Sequence, residues 1–189
     1  MRGLTMSFFS FLKPTDAMAN ILLSDLDLFR PYLEFAHNVM RGPSELSAAQ
    51  RELMVAFVAT LNACEFCHGA HQATAEAFGA DISVITSLAA GDYSRIAEKE
   101  RPLFKLVRKL TKEPAKVVKA DIDAVIAAGW KEKTAQDVII VTAFMNCSNR
   151  IVSGHGVVGS PEAFVMAARA MGPGGGYSPT SVKIGAGGA

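Results

Sequence analysis

Ser47-Ala48-Ala49-Gln50-Arg51-Glu52-Leu53-Met54-Val55-Ala56-Phe57-Val58-Ala59-Thr60-Leu61-Asn62-Ala63-Cys64-Glu65-Phe66-Cys67-His68-Gly69-Ala70-His71 is the stretch on which the fold turns. Ser47 followed three residues later by Gln50 makes a capping box, opening an apolar helix through Leu53, Ala56, Phe57 and Leu61. A second start follows at once, because Asn62 can cap and Glu65 stands three residues on. Two helices joined with almost no linker are therefore expected. The same helical period extends both ways, and no segment sustains a period of two.

Upstream, Leu26, Phe29, Tyr32, Leu33 and Ala36 recur at three- and four-residue steps, and Gly42-Pro43 closes that helix. Downstream, Gly79 ends the cysteine-bearing helix, and Asp81 to Ala90 makes a short one before Gly91. Arg101 to Leu110, Asp121 to Ala128, Thr134 to about Ile151 and Pro161 to Met171 complete an all-α chain. The reading is one all-helical domain over residues 1–171, with its central, cysteine-bearing part at about 44–80. From Gly172 onward seven of eighteen residues are glycine, so residues 172–189 are expected to be a flexible tail or to drape over a neighbour.

A faint internal echo suggests a duplicated helical unit. Leu61-Asn62 and His71 have counterparts in Met145-Asn146 and His155 at a constant offset of 84 residues. Each copy follows an apolar helix with a Gln near its start, Gln50 and Gln136. Ser148 and Ile151 stand in the second copy where the first has Cys64 and Cys67.

Composition removes several function classes. In 189 residues, 19 Lys and Arg against 18 Asp and Glu leave a net charge of +1, without the basic footprint of a nucleic-acid binder. The longest apolar runs, Leu53–Leu61 and Val138–Met145, are too short to cross a bilayer. Three cysteines are too few for a secreted disulfide scaffold. Arg2, then Leu4–Leu12, then Ala17-Met18-Ala19 loosely mimics a signal peptide, but Lys13, Pro14 and Asp16 interrupt it. That segment is expected to pack on the body or on a partner subunit, in a cytoplasmic protein.

The chemistry lies in the quoted stretch. Residues i and i+3 share a helix face, so Cys64 and Cys67 can approach closely enough for a disulfide, and His71 joins them four residues on. A helix start at Asn62 would place Cys64 in the first turn, where N–H groups and the dipole favour thiolate. Glu52 can orient the histidine only if the helix breaks near Asn62. On one unbroken helix its twelve-residue separation from Cys64 leaves it roughly 120° away. Such a pair can reduce a peroxide: one thiolate takes the oxygen as sulfenic acid and the other condenses with it to a disulfide.

The pattern Glu, eleven residues, Cys-x-x-Cys, three residues, His resembles the AhpD-like alkylhydroperoxidases of the carboxymuconolactone decarboxylase superfamily. The wider run Gly42-Pro43-Ser44-Glu45-Leu46-Ser47, Arg51-Glu52-Leu53 and Leu61-Asn62-Ala63-Cys64 is similar to their peroxidase-related branch. So are Lys109-Leu110-Thr111, Pro114, Asp121-Ile122, Gly129, Phe144-Met145-Asn146 and Asn149-Arg150. The resemblance spans roughly residues 25–160. It implies an all-helical fold, a homo-oligomer (dimer, trimer or hexamer), and peroxidase activity on hydroperoxides without metal or other cofactor. Electrons would come from an external dithiol of lipoyl or thioredoxin type. It also implies Cys67 as the peroxidatic residue, Cys64 as the more exposed resolving partner, and Glu52 with His71 as a proton relay. One departure stands out: Phe66 occupies the place before the second cysteine where the best-studied branch has a histidine. His68, one residue further on, is the accessory candidate.

Other readings of the same residues stay open at the level of sequence. Cys64, Cys67, His68 and His71 are nominally four zinc ligands, although four within eight residues of one helix would struggle to surround an ion. Cys64-x-x-Cys67-His68 spells a haem attachment pattern, which needs an exported chain and an axial ligand. The pair could serve a non-catalytic redox sensor whose assembly responds to oxidation. A decarboxylase-type activity on the same fold would leave the cysteine pair unexplained. Cys147 reads as a buried inert thiol, His155 as a helix end and His37 as a surface or interface residue.

Overall fold

The computed structural model describes residues 7–187, and these form ten α-helices with no strand among them. In chain order they are α1 (Met18–Ser24), α2 (Leu26–Arg41), α3 (Ala48–Leu61), α4 (Glu65–Ala77) and α5 (Val84–Ala89). Then follow α6 (Arg101–Lys112), α7 (Lys119–Ala127), α8 (Glu132–Gly154), α9 (Pro161–Met171) and α10 (Pro179–Gly185). The all-α reading holds, and Pro161 to Met171 matches α9 residue for residue. Two helices, α1 and α10, are additions that the periodicity did not announce. Both have seven residues, too few for a repeating apolar stripe.

The core is organised around α3, which packs against α2, α4, α5, α6 and α8. Every residue from Arg51 to Ala59 is buried, as expected of a helix apolar on nearly all sides. Its start is the anticipated capping box: the Ser47 hydroxyl accepts from the Gln50 N–H at 3.1 Å, and the Gln50 side-chain Oε1 accepts from the Ser47 N–H at 2.9 Å. Around it, α6 turns Leu103, Phe104, Leu106 and Val107 inward. Its Lys109 pairs with Asp121 of α7 at 2.7 Å.

Two short-range features aim the site. α3 and α4 are separated by only Asn62, Ala63 and Cys64, and the chain reverses there through Ala63, the one non-glycine residue with positive φ among those described (+53°). The Cys64 N–H returns to the Ala59 carbonyl at 3.0 Å and the Ala63 N–H to Thr60 at 3.1 Å, which is a Schellman ending. On its far side α4 packs against α9 at Gly69. A β-carbon on Gly69 would lie 2.4 Å from the Phe164 ring, so only glycine allows that contact.

The glycine-rich tail is not loose. Its described part folds back over the body, with α10 packed on α9, α1 and α2. Val182 joins Leu22 and Leu33 in a small second core, and Tyr177 is buried. Glycine content argued against burial here, but these two side chains with capped α10 suffice to anchor the segment. Gly188 and Ala189 lie outside the described residues. At the other end, the apolar stretch from Ser7 packs on the end of α8, with Phe9 stacked 4.8 Å from the His155 ring and Leu12 buried. Arg2 and the first residues of that stretch lie outside the described part. No described helix is long and apolar enough to cross a membrane.

Candidate active site

The reversal at Ala63 does what an unbroken helix could not. It lays α4 antiparallel to α3, so that Glu52 and His71, nineteen residues apart, meet with His71 Nδ1 2.7 Å from Glu52 Oε2. Glu52 is fully buried in the middle of an apolar helix, where a carboxylate survives only if its oxygens are occupied. They are. Oε1 accepts from Arg41 Nη2 at 2.6 Å and from the Tyr177 hydroxyl at 3.0 Å, while Oε2 accepts from His71. Burial pushes this carboxyl up, but the hydrogen bond and charge of His71, together with Arg41, outweigh it and hold Glu52 below the usual carboxylate range. An ionised Glu52 fixes the proton of His71 on Nδ1 and leaves Nε2 as the nitrogen free to exchange protons.

Arg41, at the last turn of α2, is held from several sides. Its guanidinium also donates to the Met40 and Met171 carbonyls and lies between the rings of Phe78 and Tyr177, 5.0 and 5.2 Å from their centroids.

The cysteines sit at the very start of α4. Cys64, not Asn62, is the N-cap residue. The Asn62 side chain is spent elsewhere, donating to Asn146 at 3.0 Å and Asn149 at 2.8 Å on α8. Both sulfurs are reduced and buried, Cys64 at 4% exposure and Cys67 at 1%. Cys64 is the more exposed of the two only by this narrow margin. Each thiol acts on the other's ionisation. The Cys64 thiol is lowered to about 6, first by a hydrogen bond from the Cys67 thiol, with smaller help from the Cys67 N–H, the Ser153 hydroxyl and the charge of His71. That N–H falls short of a full capping hydrogen bond. Donation to Cys64, then burial, pushes the Cys67 thiol well above the ordinary range, with Asn149 opposing.

Geometry separates the two sulfurs in another way. A pocket of about 90 Å³ opens beside α4, and Cys67 and His71 line it while Cys64 does not. Its polar edge is completed by Tyr32, whose hydroxyl lies 2.7 Å from Ser148, and by Tyr177. Phe66 supplies apolar wall, with its ring against Phe164 at 6.3 Å. His68 is turned away, with Nδ1 2.9 Å from the Thr60 hydroxyl, and does not line the pocket. The four nominal zinc ligands thus do not converge, and no group of three or more His, Cys, Asp or Glu among the described residues could hold a metal ion.

Of the residues singled out from sequence, Glu52, His71 and Cys67 come together, with Cys64 directly behind. Cys147 is exposed rather than buried, since its helix α8 turns the opposite face to the core. His155 ends α8 as expected, with Nδ1 2.7 Å from the Ile151 carbonyl, and His37 is exposed. Sequence reading missed Arg41, Tyr32 and Tyr177. A lone tyrosine in a glycine-rich tail was the available signal for the last. Nothing local marked Arg41.

The model of the Carboxymuconolactone decarboxylase family matches residues 27–109. No functionally curated protein matches the sequence. Among solved structures, an uncharacterized peroxidase-related protein from Ralstonia eutropha JMP134 with an alkylhydroperoxidase AhpD core is 26% identical, with a TM-score of 0.69 over 78% of each chain. An uncharacterized peroxidase-related protein from Silicibacter sp. TM1040 has a TM-score of 0.70 at 22% identity, over 77% of this chain and 76% of the other. A protein of unknown function from Agrobacterium tumefaciens, suggested by its name to serve AhpD-type antioxidant defence, has a TM-score of 0.65 at 19% identity over 75% and 96%.

Proposed function

We propose that this chain, whose residues 27–109 match the Carboxymuconolactone decarboxylase family model, is an AhpD-like member of that superfamily and a thiol-dependent hydroperoxide reductase. One observation carries the reading. Cys67 and His71 line one pocket, His71 is oriented by a buried, ionised Glu52, and a second thiol stands behind Cys67.

In the reaction, the Cys67 sulfur attacks the outer oxygen of ROOH and the O–O bond breaks. Cys67 becomes a sulfenic acid, and the departing alkoxide takes a proton from His71 Nε2 to leave as ROH. The Cys64 thiolate then attacks the Cys67 sulfur, the hydroxyl leaves as water with a proton drawn from solvent through His71, and a Cys64–Cys67 disulfide remains. One thiol, one thiolate, one hydroperoxide and one solvent proton yield one disulfide, one alcohol and one water. The resting thiolate belongs to Cys64, so Cys67 must first pass its proton to His71. That step joins the relay to the nucleophile. With Phe66 as apolar wall and His68 bound to Thr60, His71 is the only histidine placed to do this among the residues lining the pocket.

An external dithiol, of lipoyl or thioredoxin type, would return the pair to its reduced state, in a cytoplasmic homo-oligomer. Exposed Leu28 and Phe35 on α2 and Ile140 on α8 supply apolar surface for such an assembly. The test is intact-protein mass of the reduced protein after one equivalent of an alkyl hydroperoxide. Rapid loss of two hydrogens, mapped to Cys64–Cys67, is expected. Oxidation at the rate of an ordinary free cysteine would remove the peroxidase, and a size change on oxidation without turnover would replace it with a redox sensor.

A further inference from the structure

We infer that Tyr177, delivered by the glycine-rich C-terminal segment, is a positioning residue that sets the proton affinity of the Glu52–His71 relay. The inference rests on reading those two residues as the relay.

Tyr177 lies well outside the residues that match the family model, 27–109, in a segment whose composition promised no role. Its hydroxyl nevertheless reaches the most deeply buried carboxylate of the chain, donating to Glu52 Oε1 at 3.0 Å. Three further contacts show that the placement is built. The ring meets Phe144 edge-on at 6.0 Å, the Arg41 guanidinium lies 5.2 Å from its centroid, and the Tyr177 N–H points to His37 Nδ1 at 3.4 Å. Gly176 is pressed so closely to the His37 ring that a β-carbon there would lie 2.8 Å from it. The glycines thus let the tail pass close over α2 and set the tyrosine down on the carboxylate. The phenol stays neutral, since burial and the Glu52 charge both push its ionisation well above the ordinary range. It is a permanent donor.

The consequence concerns charge. Each hydrogen bond donated to Oε1 draws negative charge away from Oε2, the oxygen that faces His71. The groups facing this cluster are Tyr32, His37 and Arg41 from α2, Arg51 from α3, Cys64, Cys67 and His71 from the start and body of α4, and Tyr177 itself. Among them only Tyr177 and Arg41 donate to Oε1. Without the Tyr177 hydroxyl, Glu52 binds a positively charged His71 more strongly. The Glu52–His71 pair then holds its proton more tightly, and the relay is poorer at relieving Cys67 of its own.

Tyr177→Phe keeps the ring, its stacking and the tail, and deletes the hydroxyl alone. Two profiles against pH read the effect: peroxide turnover, and the rate at which iodoacetamide labels Cys67, followed by mass spectrometry. With Tyr177→Phe, kcat should fall about tenfold with KM within about twofold, the scale of one hydrogen bond to a charged group. The rising limb of both profiles should move up by about half a pH unit or more. Both effects should vanish in a Glu52→Gln background, because the charge being tuned is gone. Unmoved profiles would overturn the inference, even with a lower melting temperature, since that is what a merely structural tyrosine gives. If the native protein leaves peroxides untouched, the reductase reading falls, and the labelling profile alone decides on Tyr177.

Discussion

Two stretches of this molecule share a pattern of residues and do opposite things with it. Leu61-Asn62 through His71 and Met145-Asn146 through His155 stand 84 residues apart, and their asparagines touch, Asn62 donating to Asn146 at 3.0 Å. The first chain path breaks: α3 ends at Leu61, Ala63 turns left-handed, and α4 starts afresh at Cys64. The second does not. α8 runs from Glu132 to Gly154 straight through Asn146, whose amide caps nothing and donates to the Thr142 carbonyl one turn back at 3.0 Å. Its histidine is left closing the helix end against Phe9. A break of three residues is thus what folds a histidine onto a glutamate. The unbroken copy serves as the opposing wall, supplying Asn149 to Cys67 and Ser148 to Tyr32.

The largest test of that division is Cys67→Ser. It should abolish turnover altogether, whereas Ile151, the matching position on α8, faces no such chemistry. Cys64→Ser should instead leave a sulfenic acid on Cys67, trappable with dimedone and visible by mass. Turnover surviving in Cys67→Ser would place the chemistry elsewhere.

Next in size is Glu52→Gln. It should lower turnover by about a hundredfold, the usual scale for disabling a proton relay. It should also cost about 3 kcal/mol of stability in chemical denaturation, because Arg41 is left as a buried charge without its partner. The sign with pH follows from the lowered ionisation of Glu52. Its contribution is complete above its ordinary value of 4.5 and is lost as pH falls through the lower folded value. The stability gap between native and variant protein should therefore be full above about pH 4.5 and narrow below it. A gap that widened on acidification would contradict the ionised, paired carboxylate.

The thiols give a smaller, spectroscopic effect. Absorbance of the thiolate near 240 nm should show one group ionising at about pH 6. Since the hydrogen bond from the Cys67 thiol is the largest cause, Cys67→Ala should move that midpoint upward. An unchanged midpoint would mean that the Cys67 thiol does not act on the ionisation of Cys64.

Seen against these tests, the sequence reveals what is periodic or locally capped and conceals what is assembled from afar. The Ser47 capping box, the Gly42 stop and α9 were legible because each signal lies within a few residues. Glu52 and His71 were legible as a pair only through the spacing of a resembling family, together with the condition that a break fall near Asn62. The break falls where expected but the cap lies two residues on, at Cys64, because Asn62 has distant partners on α8 that outbid its own helix start. Arg41 and Tyr177 were out of reach. Their claim on Glu52 spans 11 and 125 residues, and only the folded chain brings them to it. Cys147 was misjudged because an apolar helix still has a face, and sequence alone did not say which face the core would take.

The smallest expected effect bears most directly on the break. Schellman endings favour glycine at the left-handed position, and this chain has Ala63 there with φ of +53°. A left-handed alanine costs about 1 kcal/mol, partly offset in a comparison with glycine by the greater freedom glycine gives the unfolded chain. Ala63→Gly should therefore raise stability by about 0.5 kcal/mol, or one to two degrees in melting temperature. Activity should hold, because the Cys64 N–H still returns to Ala59 and the cap is unchanged. The matching change on α8, Cys147→Gly, falls inside a helix and should destabilise by about 0.3 kcal/mol. Opposite signs at positions 84 residues apart would show that the two copies diverge by this one backbone choice. Equal signs would mean that the reversal at Ala63 is imposed from outside, by Asn62 and its partners, and not held by the local ending.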